Sequence, residues 1–340
     1  MFSRVLNKLL KHHDLSEEEA AEAMAEIMAG NAAASQIGAL LIGLAIKGER
    51  PNEIVGLART MRANAVQLTK PRSNVFDTCG TGGDQSNTFN VSSVAALVIA
   101  GCEVTVAKHG NRSVSSRCGS ADLFEALGVN VAASPLQVER CLDGAGIAFF
   151  FAPTFHPSMK HAGPTRKDLG VRTAFNLLGP LTNPAGATRQ LVGVPRPEHT
   201  ELVARAFALL GSEHAWVVHG ADGLDEISTT GYTKVSECRN GVVNTFYVHP
   251  AEHGISRADM AELKGGSADD NAAIALSVLK GAKGAPRDVV ALNAGAALLV
   301  AGRVKNLRDG VTRASESLDS GLASRKLKMM VEFSHQSVEG

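Results

Sequence analysis

Apolar residues recur at helical spacing through the first seventy or so positions. Ala20, Met24, Ile27 and Met28 share one helical face. Ile37, Leu40, Leu41, Leu44 and Ile46 form a second such set, and Ile54, Leu57 and Met61 a third. The punctuation agrees with the period. Ser16 with Glu19 three residues on is a capping box, and the acids from Asp14 to Glu19 sit near a helix start. Gly30 closes that helix. Ser35 is expected to open the next, which ends near Gly48, and Pro51-Asn52 opens a third. The segment 1–6 also reads as helix, because it lacks the long apolar core and small-residue cleavage site of a signal peptide. No strand pattern occurs here. Residues 1–70 are therefore expected to form an all-helical unit.

After Lys70-Pro71-Arg72 the period changes. Short apolar runs at 75–78, 103–107, 147–151 and 215–219 read as strands, and 242–248 alternates like one. Helical patterns at 92–100, 121–127, 135–143 and 198–210 lie between them, with three more at 271–279, 289–301 and 307–318. Strands alternating with helices predict an α/β fold. The expected architecture is a small all-helical domain plus a larger α/β domain with a mostly parallel central sheet, over residues 71–340. The stretch 155–185 carries Pro157, Pro164, Pro180 and Pro184 and has no strand character. It is expected to leave the sheet unit and complete the helical one.

Composition narrows the function classes. Among 340 residues, 34 Lys and Arg balance 34 Asp and Glu. Zero net charge disfavours nucleic-acid binding as the main task. With 12 Phe, 2 Tyr and 1 Trp, the chain is also poor in stacking platforms for single strands. The longest apolar stretches hold about ten residues against the roughly 18 needed to span a bilayer, so no membrane segment is expected. Five cysteines, none in a C-x-x-C pair, suggest neither a zinc site nor a disulfide framework. Reduced thiols in a cytoplasmic protein are expected.

Four constellations carry chemistry. The first is Asp77-Thr78-Cys79-Gly80-Thr81-Gly82-Gly83-Asp84, directly after a strand. Its glycines let backbone approach a ligand closely and form an anion nest. It runs through Thr88-Phe89-Asn90-Val91-Ser92-Ser93 into an apolar helix, whose start suits a phosphate. It matches neither the Walker A pattern nor the dinucleotide fingerprint, where Gln85 would have to be glycine. The second is Lys108-His109-Gly110-Asn111-Arg112-Ser113-Val114-Ser115-Ser116, at the carboxyl end of a strand, the ligand edge of open α/β sheets. Lys108 and Arg112 supply charge for phosphates, and Ser120 opens the next helix. The third is Asp222-Gly223-Leu224-Asp225-Glu226, whose adjacent carboxylates suit a hard cation such as Mg²⁺. The fourth joins His156, Arg166 and Arg172-Thr173-Ala174-Phe175-Asn176-Leu177-Leu178-Gly179-Pro180, read as a helix ending on its glycine. Arginine is the natural fork for a carboxylate, but the pattern alone does not say which arginine meets a substrate.

Together these motifs, continued by Gly119-Ser120-Ala121-Asp122, Gly265-Gly266, Asn271-Ala272, Asn293-Ala294 and Asp319-Ser320-Gly321, resemble the anthranilate phosphoribosyltransferase family over nearly the whole chain. The resemblance implies an active site between the two domains and a homodimer assembled through the helical domain. It implies transfer of the phosphoribosyl group of 5-phosphoribosyl 1-diphosphate (PRPP) to anthranilate, in tryptophan biosynthesis. Gly80, Gly83, Asp84, Thr88, Asn90, Val91, Ser92, Ser93, Lys108, Ser116 and Ser120 would hold PRPP. Ser92, Asp225 and Glu226 would hold Mg²⁺. Gly80, Asn111 and Arg166 would meet anthranilate, with His109, His156 and Gly179 lining its route. No acid or base is assigned. Ser93 and Met159 depart from the family pattern, which usually has threonine and often an aromatic residue at those places. Two alternatives share parts of the pattern. A pyrimidine nucleoside phosphorylase would carry a further T-G-G-T-x-D-x-L-E type signature, which this sequence lacks. A non-catalytic nucleic-acid-binding relative would show degraded phosphate loops and a basic surface.

Overall fold

Four helices realise the amino-terminal pattern: α1 (Phe2–Leu9), α2 (Glu17–Met28), α3 (Ala34–Lys47) and α4 (Pro51–Ala63). This computed structural model describes residues 1–84, 86–113 and 117–336. The Ser16 capping box forms: Glu19 N–H donates to the Ser16 hydroxyl, and Ser16 N–H donates to the Glu19 carboxylate at 2.9 Å. Ser35 does not cap α3. That helix starts one residue earlier, with Ala33 N–H donating to the Gln36 side chain instead. Glu53 is fully buried and accepts from Leu15 N–H and Arg50 N–H while pairing with Lys47, so one carboxylate joins the lead-in to α2, the end of α3 and the start of α4.

The rest of the chain builds a sheet of seven strands in the order β3-β2-β1-β4-β5-β6-β7. They are β1 (Phe76–Gly80), β2 (Val106–Gly110), β3 (Ile147–Phe151), β4 (Arg189–Gly193), β5 (His214–Gly220), β6 (Thr233–Arg239) and β7 (Val242–Val248). The first five in that spatial order run parallel, and β6 and β7 add an antiparallel edge. The helices are α5 (Val91–Gly101), α6 (Ser120–Ala126), α7 (Pro135–Ala145), the short α8 (Ala152–Phe155), α9 (Gly163–Leu169), α10 (Ala174–Leu181), α11 (Glu198–Leu209), α12 (Ala268–Leu279), α13 (Ala285–Val300), α14 (Leu307–Asp319) and α15 (Leu322–His335).

Alternation along the strands divides the core in two. Leu191, Trp216 and Val218 face a core shared with α5, α13, α14 and α15. Val192, Ala215 and Val217 face a second core that contains α1 to α4, α10 and α11. Helix α5 is buried on all sides, which explains its lack of a polar face.

The structure adjusts several expectations. The strand expected at 103–107 begins at Val106, because Glu103 adopts a left-handed turn conformation (φ 66°) and Val106 pairs with Ile147. Lys108 and His109 are thus strand residues. Strands β4 and β6 and helix α15 are additions to the expected elements. Helix α10 does not stop at Gly179 but continues through Pro180 to Leu181.

Candidate active site

The carboxyl ends of β1, β2, β3 and β5 lie along one edge of the sheet, and the segments that follow them line one cleft. Helices α9 and α10 close the opposite wall. The cleft between them measures about 680 Å³. Every expected site residue among the described ones lines it: Gly80, Gly83, Asp84, Thr88, Asn90, Val91, Ser92, Ser93, Lys108, His109, Asn111, Ser120, His156, Arg166, Gly179, Asp225 and Glu226. Ser116 lies outside the described residues.

The glycine loop leaves β1 at the sheet edge. Thr81 N–H donates to the Gly193 carbonyl at 2.9 Å, and Gly82 N–H donates to the Asp225 carboxylate at 3.0 Å. Asp84 accepts from the Ser86 hydroxyl at 2.5 Å, and that hydroxyl reaches Thr88 Oγ1 at 3.2 Å. Asn90 joins the two phosphate-type loops. Its Nδ2 donates to the Cys118 carbonyl, and its Oδ1 accepts from Asn271 at 2.9 Å. The buried Ser93 hydroxyl has no hydrogen-bond partner among the described residues.

Asp225 and Glu226 sit beside this loop. Ser92 N–H donates to Glu226 at 3.1 Å, so the start of α5 meets the acidic pair. Burial raises the pKa of both carboxyls; Asp84 raises Asp225 further, and Asp225 does the same to Glu226. Two crowded carboxylates of this kind are stabilised by a cation. No group of three or more His, Cys, Asp or Glu among the described residues forms a protein cage for a metal. The donor set, two adjacent carboxylates beside the start of α5, fits Mg²⁺, which uses one or two carboxylates and leaves its other positions to water and phosphate oxygens.

Lys108 is 2% exposed. Its charge faces Glu226 and the buried Asp77. Asp77 in turn accepts from His109 N–H at 3.1 Å and Asn183 Nδ2 at 2.8 Å, which ties the first half of β1 to β2 and to the segment after α10. His109 Nδ1 lies 3.1 Å from the Gly179 carbonyl and donates to it; its Nε2 then carries a lone pair. The His109 and His156 rings lie 5.4 Å apart. Desolvation pushes His109 down to about 3, with His156 adding to the shift, and His156 down to about 4. The guanidinium of Arg166 lies over the Phe175 ring at 5.2 Å and has no ion partner among the described residues. Arg112 also lines the cleft, where its guanidinium pairs with Asp122 at 2.9 Å and Glu125 at 2.7 Å.

This geometry can be compared with known proteins. One family model, "Glycosyl transferase family, a/b domain", matches residues 72–324, and another, "Glycosyl transferase family, helical bundle domain", matches residues 3–65. The anthranilate phosphoribosyltransferase of Moorella thermoacetica is 54% identical over 98% of this chain and 98% of its own length. That of Symbiobacterium thermophilum is 52% identical over 98% and 97%. The chain belongs to the anthranilate phosphoribosyltransferase family. Two solved structures of this family share the fold. The crystal structure of the Thermus thermophilus member superimposes with a TM-score of 0.92 at 45% identity, covering 98% of this chain and 99% of the other. The Saccharomyces cerevisiae member, in complex with PRPP and Mg, gives 0.89 at 27% identity, covering 98% and 97%.

Three features of the site are not announced by the sequence pattern. Asp77 belongs to the first motif but has no evident task there; a carboxylate inside an apolar strand is the signal that flags it. Gly193 ends β4, a strand outside the expected set. A side chain there would strike the Asp225 backbone, so glycine is what lets the acidic loop close on the sheet. Arg172 stands in the fourth motif without a local partner; it reaches the glycine loop.

Proposed function

We propose that this chain transfers the phosphoribosyl group of PRPP to the amine of anthranilate, releasing diphosphate, in tryptophan biosynthesis. The observation that carries the reading is the convergence, in one cleft, of the glycine loop, Lys108 and the acidic pair on one wall with Arg166 on the other. The loop 80–84 with Thr88, Asn90, Val91, Ser92, Ser93 and Ser120 is assigned to PRPP, and Ser93 supplies a buried hydroxyl still lacking a partner among the described residues. Ser92, Asp225 and Glu226 are assigned to Mg²⁺, which when bound neutralises the diphosphate and improves it as a leaving group.

The chain's own residues do the rest. Lys108 places a buried positive charge beside the departing diphosphate. Arg166 offers a fork to the anthranilate carboxylate, with Asn111 and Gly80 beside it. Neutral His109 and His156 and the α10 turn at Gly179 give that acid a route which adds no charge of their own. The amine nitrogen attacks C1 of the ribose as the C1–O bond to diphosphate breaks, and the nitrogen then sheds its proton. An aryl amine is neutral near pH 7 and already nucleophilic, so no strong base is needed. Rate comes from positioning and electrostatics, with two walls excluding water that could hydrolyse PRPP.

The helical domain is assigned to residues 1–70, completed by about 155–185, and the α/β domain to 71–340. The shared core of α1 to α4 with Ala162, Ala174, Leu177 and Leu178 supports that division. A homodimer through the helical domain is supported by Leu10 and Ile46, which are 79% and 71% exposed on α1's end and on α3. The partners are small molecules rather than nucleic acid or membrane; charge balances, and no described helix is long and apolar enough to cross a membrane. A cytoplasmic location suits five buried cysteines. The test is anthranilate fluorescence in the presence of PRPP and Mg²⁺. It should fall on addition of protein, while thymidine with phosphate should yield no thymine. Steady fluorescence, or thymidine phosphorolysis, would refute the assignment.

A further inference from the structure

Arg172 has no task in the chemistry above, yet it spans the cleft. It follows α9, whose last turn closes at Gly170 (φ 62°), and precedes α10. Its neighbour Thr173 is buried, and Thr173 N–H donates to Asn176 Oδ1 at 2.9 Å, which fixes the start of α10. From this firm base the Arg172 guanidinium crosses to the glycine loop. It donates to the Gly82 carbonyl, to the Thr81 carbonyl at 3.3 Å and to Thr81 Oγ1 at 3.4 Å. Asp84 and Asp225 face the same guanidinium.

The loop is thus held from two directions. Arg172 takes its carbonyls, and Asp225 takes Gly82 N–H. The fit is close: a methyl group on Gly83, itself at φ 78°, would land on the guanidinium. Three glycines in four positions make the free loop conformationally costly to order. A planar fork bound to two successive residues removes much of that freedom before any ligand arrives. The same arginine lies six residues after Arg166, with the end of α9 between them, so the wall assigned to anthranilate carries the clamp on the loop assigned to PRPP.

We propose that Arg172 is a positioning residue that holds the glycine loop in its PRPP-receiving shape from the opposite wall of the cleft. The inference rests on the assignment of PRPP to that loop. The full-length protein is compared with Arg172→Ala, Arg172→Gln and Arg172→Lys by steady-state kinetics, by calorimetric binding of PRPP with Mg²⁺, and by melting temperature. Arg172→Ala should raise both the PRPP KM and its Kd about tenfold or more, as loss of charge-assisted hydrogen bonds predicts. The anthranilate KM should move less than about threefold on the same scale. Guanidinium ion at millimolar concentration should restore part of the lost PRPP affinity in Arg172→Ala, and Arg172→Lys, a point charge without the fork, should stay impaired. Arg172→Gln, which keeps a polar amide donor but neither the charge nor the full reach, is read in the same way if the alanine variant does not fold.

An unchanged PRPP KM would overturn the proposal. So would a lower melting temperature with both KM values intact, which is a purely structural role. A third contrary result concerns ionic strength: if the salt dependence of the PRPP KM flattens in Arg172→Ala, the arginine touches phosphate itself and does not act through the loop. Absence of turnover in the unaltered protein would instead count against the proposed function, which keeps the two failures separate.

Discussion

Single residues carry the most direct predictions. Asp225→Asn and Glu226→Gln should each lower kcat/KM by roughly 10²-fold and move the Mg²⁺ requirement to higher concentration, as removal of an electrostatic contact does elsewhere. A Mg²⁺ titration that superimposes on that of the unaltered protein would contradict the assignment. The histidines give a pH prediction. His109 at about 3 and His156 at about 4 stay neutral when folded, whereas the unfolded chain takes up these protons near its ordinary value of 6.5. The unfolded state then binds more protons, so stability falls as pH drops from about 6.5 toward 4. Their imidazole proton signals should stay flat between about pH 5.5 and 8, and a midpoint near 6.5 for either would contradict the buried neutral pair. At this scale the sequence is readable wherever chemistry is local. Gly80, Asp84, Lys108, Asp225 and Glu226 sit in motifs whose residue types declare an anion nest, a cation and a metal-type pair. Arg172 and Asp77 are opaque because each acts through a partner far away in sequence, Gly82 and Asn183 respectively. Arg112, like Lys108, declares a cation, but nothing local announces its pairing with Asp122 and Glu125.

Elements decide how those residues meet. Strand β4 places Gly193 against the Asp225 backbone, and Thr81 N–H also ends on the Gly193 carbonyl. Gly193→Ala should therefore overpack the junction, lowering stability by about 1–3 kcal/mol in urea unfolding and weakening PRPP at the same time. A variant of native stability and native PRPP KM would show that the close approach is dispensable. Helices are legible where one face meets the core and the other meets water over several turns, as in α2 and α14. The edge strand β7 is legible through its alternation. Strand β4 is not, since five residues in the middle of a parallel sheet, most of them buried, show no period. The start of β2 is misplaced for a different reason. Glu103 and Val104 look extended, but pairing with β3 begins only at Val106. Gly179-Pro180 looks like a stop, yet the last turn of α10 absorbs the proline, whose missing N–H removes only one bond near the helix end.

At the scale of the molecule, the core that contains α1 to α4, α10 and α11 joins the helical unit to one face of the sheet, the other face packs against α5, α13, α14 and α15, and the cleft lies where α9 and α10 face the carboxyl ends of the strands. This division is visible in the change from helical to strand period near residue 70. The return of 162–181 to the helical core is visible only as a proline-rich gap in the strand pattern. The exposed Leu10 and Ile46 lead to a prediction on assembly: Leu10→Glu with Ile46→Glu should convert a dimer to a monomer in light scattering, and an unchanged mass would remove those residues from any interface. Net charge, zero overall, is divided inside the cleft into Lys108 and Arg166 on one side of the balance and Asp84, Asp225 and Glu226 on the other. The central claim is that this cleft joins its two substrates. The most direct measurement follows anthranilate fluorescence and diphosphate release together in one reaction with PRPP and Mg²⁺. The two signals should change one for one, and omitting PRPP or anthranilate should stop both. Diphosphate released with anthranilate fluorescence intact, or no change in either, would contradict it.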